Sequence, residues 1–109
     1  MTAEHRDTPR FALSLEAEFG QRGDALRPCR IRDISHGGAF VVTPATPGLG
    51  ASPMDLVVHV TRDGRTHRVR YETLVARQAH DGVGVFFCGT GAPGFIPLPD
   101  LIAHRFRGY

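Results

Sequence analysis

The stretch IRDISHGGAFV, residues 31–41, decides the fold of this chain, because it is a strand, a turn and a second strand in direct succession. Its turn region carries the acid Asp33, the hydroxyl of Ser35 and the glycine Gly38. Asp33 and Ser35 are two residues apart, so their side chains are expected on one face of an extended segment. Gly38 lets a ligand lie against the backbone or permits a positive φ. The hairpin therefore suits a polar ligand, and it equally suits a plain turn in which Asp and Ser make local hydrogen bonds.

Upstream, the pattern predicts one further strand and a turn that leads into the first strand of this hairpin. Residues 11–19 place an apolar side chain at every second position, which is typical of a half-buried strand. Residues 20–24, Gly-Gln-Arg-Gly-Asp, are turn formers. Residues 26–34 then form the second strand, with Pro28 near its start, where proline is tolerated.

The second strand of the hairpin covers residues 39–43, and downstream of it the pattern predicts three more strands, over 55–61, 68–75 and 83–88. In the long fifth strand the inward side chains are expected to be Val69, Tyr71, Thr73 and Val75. Asp63-Gly64 and Asp81-Gly82 are tight-turn signals, and residues 44–53 form a loop.

Four apolar residues near the C-terminus recur at helical spacing and predict a short amphipathic helix over about 97–107: Leu98, Leu101, Ile102 and Phe106. Six strands and one helix indicate an all-β fold, either an antiparallel meander or a small barrel, with the helix at its mouth. We expect one domain over residues 11–109, preceded by a polar arm, residues 1–10, that is flexible.

The composition excludes several classes of protein. The net charge is +2 and the acidic residues are interspersed with the basic ones, so no broad basic face for duplex DNA is expected. The start of the chain has no apolar core of a signal peptide, and no apolar run approaches the ~20 residues of a membrane span. A cytoplasmic protein is therefore expected. Cys29 and Cys88 are expected to be reduced core residues, although the sequence leaves a disulfide open.

The sequence also argues against catalysis. It contains no nucleophile elbow, HExxH, P-loop or CxxC motif. The six histidines show no metal-ligand spacing, so neither a metal nor a cofactor is expected. A barrel that binds single-stranded nucleic acid needs aromatic residues on a basic face, whereas most of the seven Phe residues fall on inward positions.

Two short motifs in order carry a family resemblance. Residues 6–10, Arg-Asp-Thr-Pro-Arg, match RxxxR, and residues 33–38, Asp-Ile-Ser-His-Gly-Gly, match (D/N)xSxxG about twenty residues later. This pair resembles the PilZ domain, the bacterial receptor module for cyclic di-GMP. The resemblance implies a six-stranded antiparallel barrel that binds this nucleotide and performs no catalysis.

The residue chemistry agrees with this resemblance. The planar forks of Arg6 and Arg10 suit phosphate oxygens and the O6 and N7 acceptors of guanine. Asp33 can accept from the N1 and N2 donors of guanine, Ser35 can donate to an oxygen, and Gly38 admits a base or ribose. The alternative for the two arginines is a solvated charged tail.

Three further residues are secondary candidates: His5, His36 and Gly37. His5 stands where many PilZ domains have an arginine associated with gripping a dimer of the nucleotide, so the sequence leaves monomeric and dimeric ligand open.

We expect the arm to close on the ligand and create a surface for an unidentified downstream protein. The alternative is a PilZ-like protein–protein adaptor that binds no nucleotide.

Overall fold

The computed structural model describes residues 11–44 and 53–106, without the side chains of 11–14, 62 and 103–106. Six strands and one helix make up this part of the chain: β1 Phe11–Gln21, β2 Arg27–Ile34, β3 Gly38–Val42, β4 Met54–Arg62, β5 Arg65–Ala79, β6 Gly82–Phe87 and α1 Leu98–Phe106. The predicted strands and helix are confirmed. The arm and most of the predicted loop lie outside the described residues.

The strands form a closed antiparallel barrel in the order β1-β2-β3-β6-β5-β4. Neighbours along the chain pair as hairpins, except that β3 pairs with β6 and the barrel closes between β4 and β1. Of the two arrangements that the sequence allows, the structure is therefore the barrel. In the described part of the chain, no helix is long and apolar enough to cross a membrane.

Side chains at alternate positions of each strand point inward and fill the barrel interior, as expected for half-buried strands. On β5 the predicted inward residues are confirmed, since Tyr71, Thr73 and Val75 are buried and Val69 packs against the core. The other strands contribute chiefly small and branched side chains: Ala17, Phe19, Ile31, Ile34, Ala39, Val41, Leu56, Val58, Val60, Val83, Val85 and Phe87.

The β4–β5 hairpin turns at the Asp63-Gly64 pair predicted from sequence. Both residues have positive φ, 53° at Asp63 and 75° at Gly64. This combination matches a two-residue type I′ turn, whose twist suits antiparallel strands. The register is regular from Met54 opposite Thr73 to Arg62 opposite Arg65.

Helix α1 covers one end of the barrel. Leu98 and Ile102 belong to the same buried cluster as the strand residues, and a closed barrel admits helix side chains only through an open end. The segment before the helix is held down by Tyr71, whose hydroxyl donates to the carbonyl of Ile96 at 2.8 Å. The rings of Tyr71 and Phe87, 5.0 Å apart, lie beneath it.

Both cysteines are free thiols. Cys29 is partly buried and packs against the barrel core, in line with the prediction. Cys88 follows β6, where it is only partly buried and does not belong to the core cluster, so its prediction as a core residue was wrong.

Candidate ligand-binding site

The turn between β2 and β3 is held by the residues of the second motif themselves. The Ser35 N–H donates to the Gly38 carbonyl at 2.8 Å, and the Gly38 N–H donates to the Ser35 hydroxyl at 3.2 Å. The Phe87 N–H donates to the Gly37 carbonyl at 2.9 Å. The local hydrogen bond foreseen for Ser35 is therefore present, and the turn is fixed to the end of β6.

Gly38 is required by the packing of two strands. A Cβ at this position would lie 2.3 Å from the carbonyl oxygen of Val85, far inside any normal contact. The φ of Gly38 is not positive, which excludes one of the two roles that the sequence left open for this glycine. Its contact with a ligand stays a prediction.

A β-bulge turns Asp33 to the outer face of the barrel. The register of β2 against β3 shifts between Ile31 and Asp33, which leaves Arg32 as the extra residue. Ile31 and Ile34 both point into the core, so Asp33 faces outward beside its partner Phe40. The Asp33 side chain keeps 22% of its surface exposed, and one oxygen lies 4.0 Å from Arg32 Nε.

Two guanidinium groups flank the ring of Phe40 on this outer face. The ring is 1% exposed although it lies outside the core cluster, because Arg32 covers it with its Cζ 4.0 Å from the ring centroid. Arg77 Cζ lies 5.6 Å from the same centroid. Arg32 also bonds Asp81, at 3.0 Å between Nη1 and Oδ2.

Beside the motif turn the structure has an open cavity of about 300 Å³. Ser35, Gly37 and Gly38 form one wall. Arg77, Gly84 and Phe86, on β5 and β6, are among the residues of the other walls. The cavity is at the small end of the range typical of ligand sites, which suits one part of a dinucleotide.

The other candidate residues are distributed as follows. His36 turns away from the cavity and lies 3.3 Å from Asp100 in the first turn of α1. Arg6, Arg10 and His5 lie outside the described residues. Their chain, however, enters β1 at Phe11, which is opposite Ile34 in the pairing of β1 with β2.

Sequence reasoning missed the second wall of the cavity. Neither Arg77 nor Phe86 was singled out from the sequence, and most of the Phe residues were expected to face inward. Of the described Phe side chains, Phe19 and Phe87 are buried in the core and Phe95 packs against it, whereas Phe40 and Phe86 lie on the outer face. The alternation of Gly82, Gly84 and Phe86 against Val83, Val85 and Phe87 was the available signal.

An ionic cluster on β1, β4 and β5 joins His59 and Arg68 to Glu18, and none of these three residues lines the cavity. The hydrogen bond from His59 to Glu18, at 2.8 Å, lowers the pKa of that carboxyl, and Arg68 lowers it further.

Burial raises the pKa of the Cys29 thiol to about 12. Among the described residues, no group of three His, Cys, Asp or Glu side chains could hold a metal ion.

Comparison with known proteins agrees with the fold. The sequence matches the PilZ domain family over residues 4–92, which include both motifs and all six strands. No curated protein matches the chain. Because the match spans most of the chain and the barrel carries the second motif on an open cavity, this protein belongs to the PilZ domain family, a family of cyclic di-GMP receptors that are generally non-catalytic binding modules.

Proposed function

We propose that this chain binds cyclic di-GMP with Arg6 and Arg10 of the arm and Asp33, Ser35 and Gly38 of the β2–β3 hairpin, and that it relays the signal to a partner protein without catalysis. The proposal rests on one observation above others. Phe11, the first residue of β1, is opposite Ile34, so β1 begins beside the motif turn. The arm motif ends at the residue before Phe11 in sequence, which supports the inference that it reaches the hairpin motif from this end of the barrel.

The charges on this face fit the ligand. Asp33 faces outward and offers carboxylate oxygens to guanine N–H donors, which a charged acceptor binds more strongly than a neutral one. Arg6 and Arg10 supply cations for the two phosphates. Ser35 lines the cavity while it closes the turn, so its oxygen is held at a fixed position.

The relay follows from the arm. Residues 1–10 contribute two cations to the ligand, so their position depends on whether the nucleotide is bound. The surface that includes the arm then differs between the two states, and a partner protein can distinguish them.

Isothermal titration calorimetry of the intact chain with cyclic di-GMP tests the proposal. We expect saturable binding that is lost in Arg10→Ala and in Asp33→Ala. Arg65→Ala is a matched control for the first variant, because it removes the same charge at the start of β5, whereas the cavity is lined by Arg77 near the end of that strand. Bound ligand also raises the melting temperature, since at one hundred times its Kd it stabilises the fold by about 2.7 kcal/mol.

Absence of binding by the wild-type chain at high micromolar nucleotide would refute the proposal and favour the protein–protein adaptor. Binding that survives both Arg10→Ala and Asp33→Ala would refute the assigned residues. Thermal unfolding of each variant without ligand shows whether the barrel is intact, so that loss of binding is not confused with loss of fold.

A further inference from the structure

The cavity beside the motif turn has a second wall that neither motif contains. Arg77 on β5 and Gly84 and Phe86 on β6 line it together with Ser35 and Gly38. These residues come from three neighbouring strands on the outer face of the barrel, where Gly38 is opposite Phe86 and Arg77 is opposite Gly84.

A β-bulge brings Arg77 to this face. The register of β5 against β6 shifts between Val75 and Arg77, so that Ala76 and Arg77 are both exposed while Val75 stays in the core. Without the shift, alternation from Val75 would point Arg77 into the barrel. Bulges that re-aim one side chain are common beside functional sites.

Gly84 gives the Arg77 side chain room to lie along the sheet. A Cβ at Gly84 would lie 3.2 Å from Arg77 Cγ and 3.3 Å from Nε, which is tighter than an ordinary contact. The guanidinium thus rests over backbone, close to the ring of Phe40.

The charge of Arg77 is not matched by a carboxylate within the residues that the structure describes. Three other arginines on the barrel form ion pairs: Arg32 with Asp81, Arg68 with Glu18 and Arg70 with Asp55. Arg77 instead contacts the aromatic ring of Phe40. Its five donors are therefore available to acceptors from a ligand.

Phe86 supplies a flat apolar surface on the same cavity. Its side chain is 62% exposed, an unusual position for a large aromatic residue. Leu74, its partner on β5, is 41% exposed. A ring held in this way offers a face to the π-system of a base, and base–aromatic stacking does not depend on the hydrogen bonds of either motif.

We propose that this second wall is a guanine subsite, in which one base of cyclic di-GMP stacks on Phe86 while Arg77 donates to its O6 and N7. The inference rests on the proposed function, because it assigns further residues to the same ligand. A guanidinium fork matches this pair of acceptors, and an adenine presents a donor at the equivalent of O6. Arg77 is therefore a specificity residue as well as a source of affinity.

The test is calorimetric titration of wild type, Arg77→Ala, Phe86→Leu and Phe86→Tyr with cyclic di-GMP and with cyclic di-AMP. We expect Arg77→Ala to weaken cyclic di-GMP binding at least about fivefold, and to narrow the preference over cyclic di-AMP by a similar factor. Phe86→Leu keeps an apolar side chain and should weaken binding at least about fivefold, whereas Phe86→Tyr keeps the ring and should bind within about twofold of wild type.

Arg65→Ala again serves as the control for charge. If the wild type binds cyclic di-GMP and the affinities of Arg77→Ala and Phe86→Leu are both within about twofold of the wild-type affinity, the subsite is refuted and the proposed function is left intact. A loss in Arg77→Ala that Arg65→Ala reproduces would also overturn it, because the effect would then be long-range attraction. Failure of the wild type to bind removes the proposed function and the subsite together. Melting curves of the unliganded variants confirm that each barrel is folded.

Discussion

Replacing Gly38 with alanine tests whether the motif glycine is needed by the barrel itself, before any ligand is considered. The new Cβ would lie 2.3 Å from the carbonyl oxygen of Val85. That oxygen must retreat by about 0.7 Å to reach 3.0 Å, a distance below which real Cβ contacts are essentially not found. The obstacle is backbone, so the change requires β3 and β6 to move apart.

The cost follows from the interactions around this point. Forcing a methyl group into a packed site costs about 1–3 kcal/mol. Separating the strands also weakens the bond from the Phe87 N–H to the Gly37 carbonyl, which joins the turn to β6 and is worth about 0.5–1.5 kcal/mol. We expect the free energy of unfolding to fall by about 2–4 kcal/mol, which lowers the melting temperature by roughly 10–30 °C.

The assay is thermal and urea unfolding followed by circular dichroism, without nucleotide. Gly37→Ala is the matched control in the same turn, because nothing lies within 4 Å of its added Cβ and its φ is not positive. This control should change stability by no more than about 0.5 kcal/mol. If unliganded Gly38→Ala melts within about 2 °C of wild type, the packing argument is wrong and the glycine serves the ligand alone.

Three further predictions concern the rest of the barrel. His59 holds the pKa of Glu18 in the folded protein below its ordinary value of 4.5. The ionised carboxylate therefore stabilises the fold above pH 4.5, and this stabilisation is lost as the pH falls through the lowered pKa. Glu18→Gln should make the stability to unfolding depend less on pH below 4.5. Burial raises the pKa of the Cys29 thiol, so native Cys29 should react with iodoacetamide far more slowly than after unfolding in urea, and equal rates would contradict its burial. Tyr71→Phe removes the bond to the Ile96 carbonyl and should lower stability by about 1 kcal/mol in urea titrations, with no change expected if that bond is absent in solution.

The strands and the motif turn could be predicted from the sequence because both depend on local patterns. Alternation located all six strands, and the Asp63-Gly64 pair fixed one hairpin. The outward orientation of the Asp33 and Arg77 side chains could not be predicted from these local patterns. Each follows a bulge whose position depends on the register against another strand, so simple alternation would have sent both side chains into the core. Arg77 was missed for this reason, whereas the alternation along β6 was enough to place Gly84 and Phe86 on the outer face.

The contact between Gly38 and Val85 also affects how the motif should be interpreted across evolution. In a descendant of this chain that bound no nucleotide, mutation of Gly38 would still destabilise the barrel, so selection would keep the glycine. Arg77 has no comparable task in the fold and would be free to drift. Retention of a cation at that position, rather than of the motif glycine, would therefore distinguish chains that still sense the signal from those that kept only the scaffold.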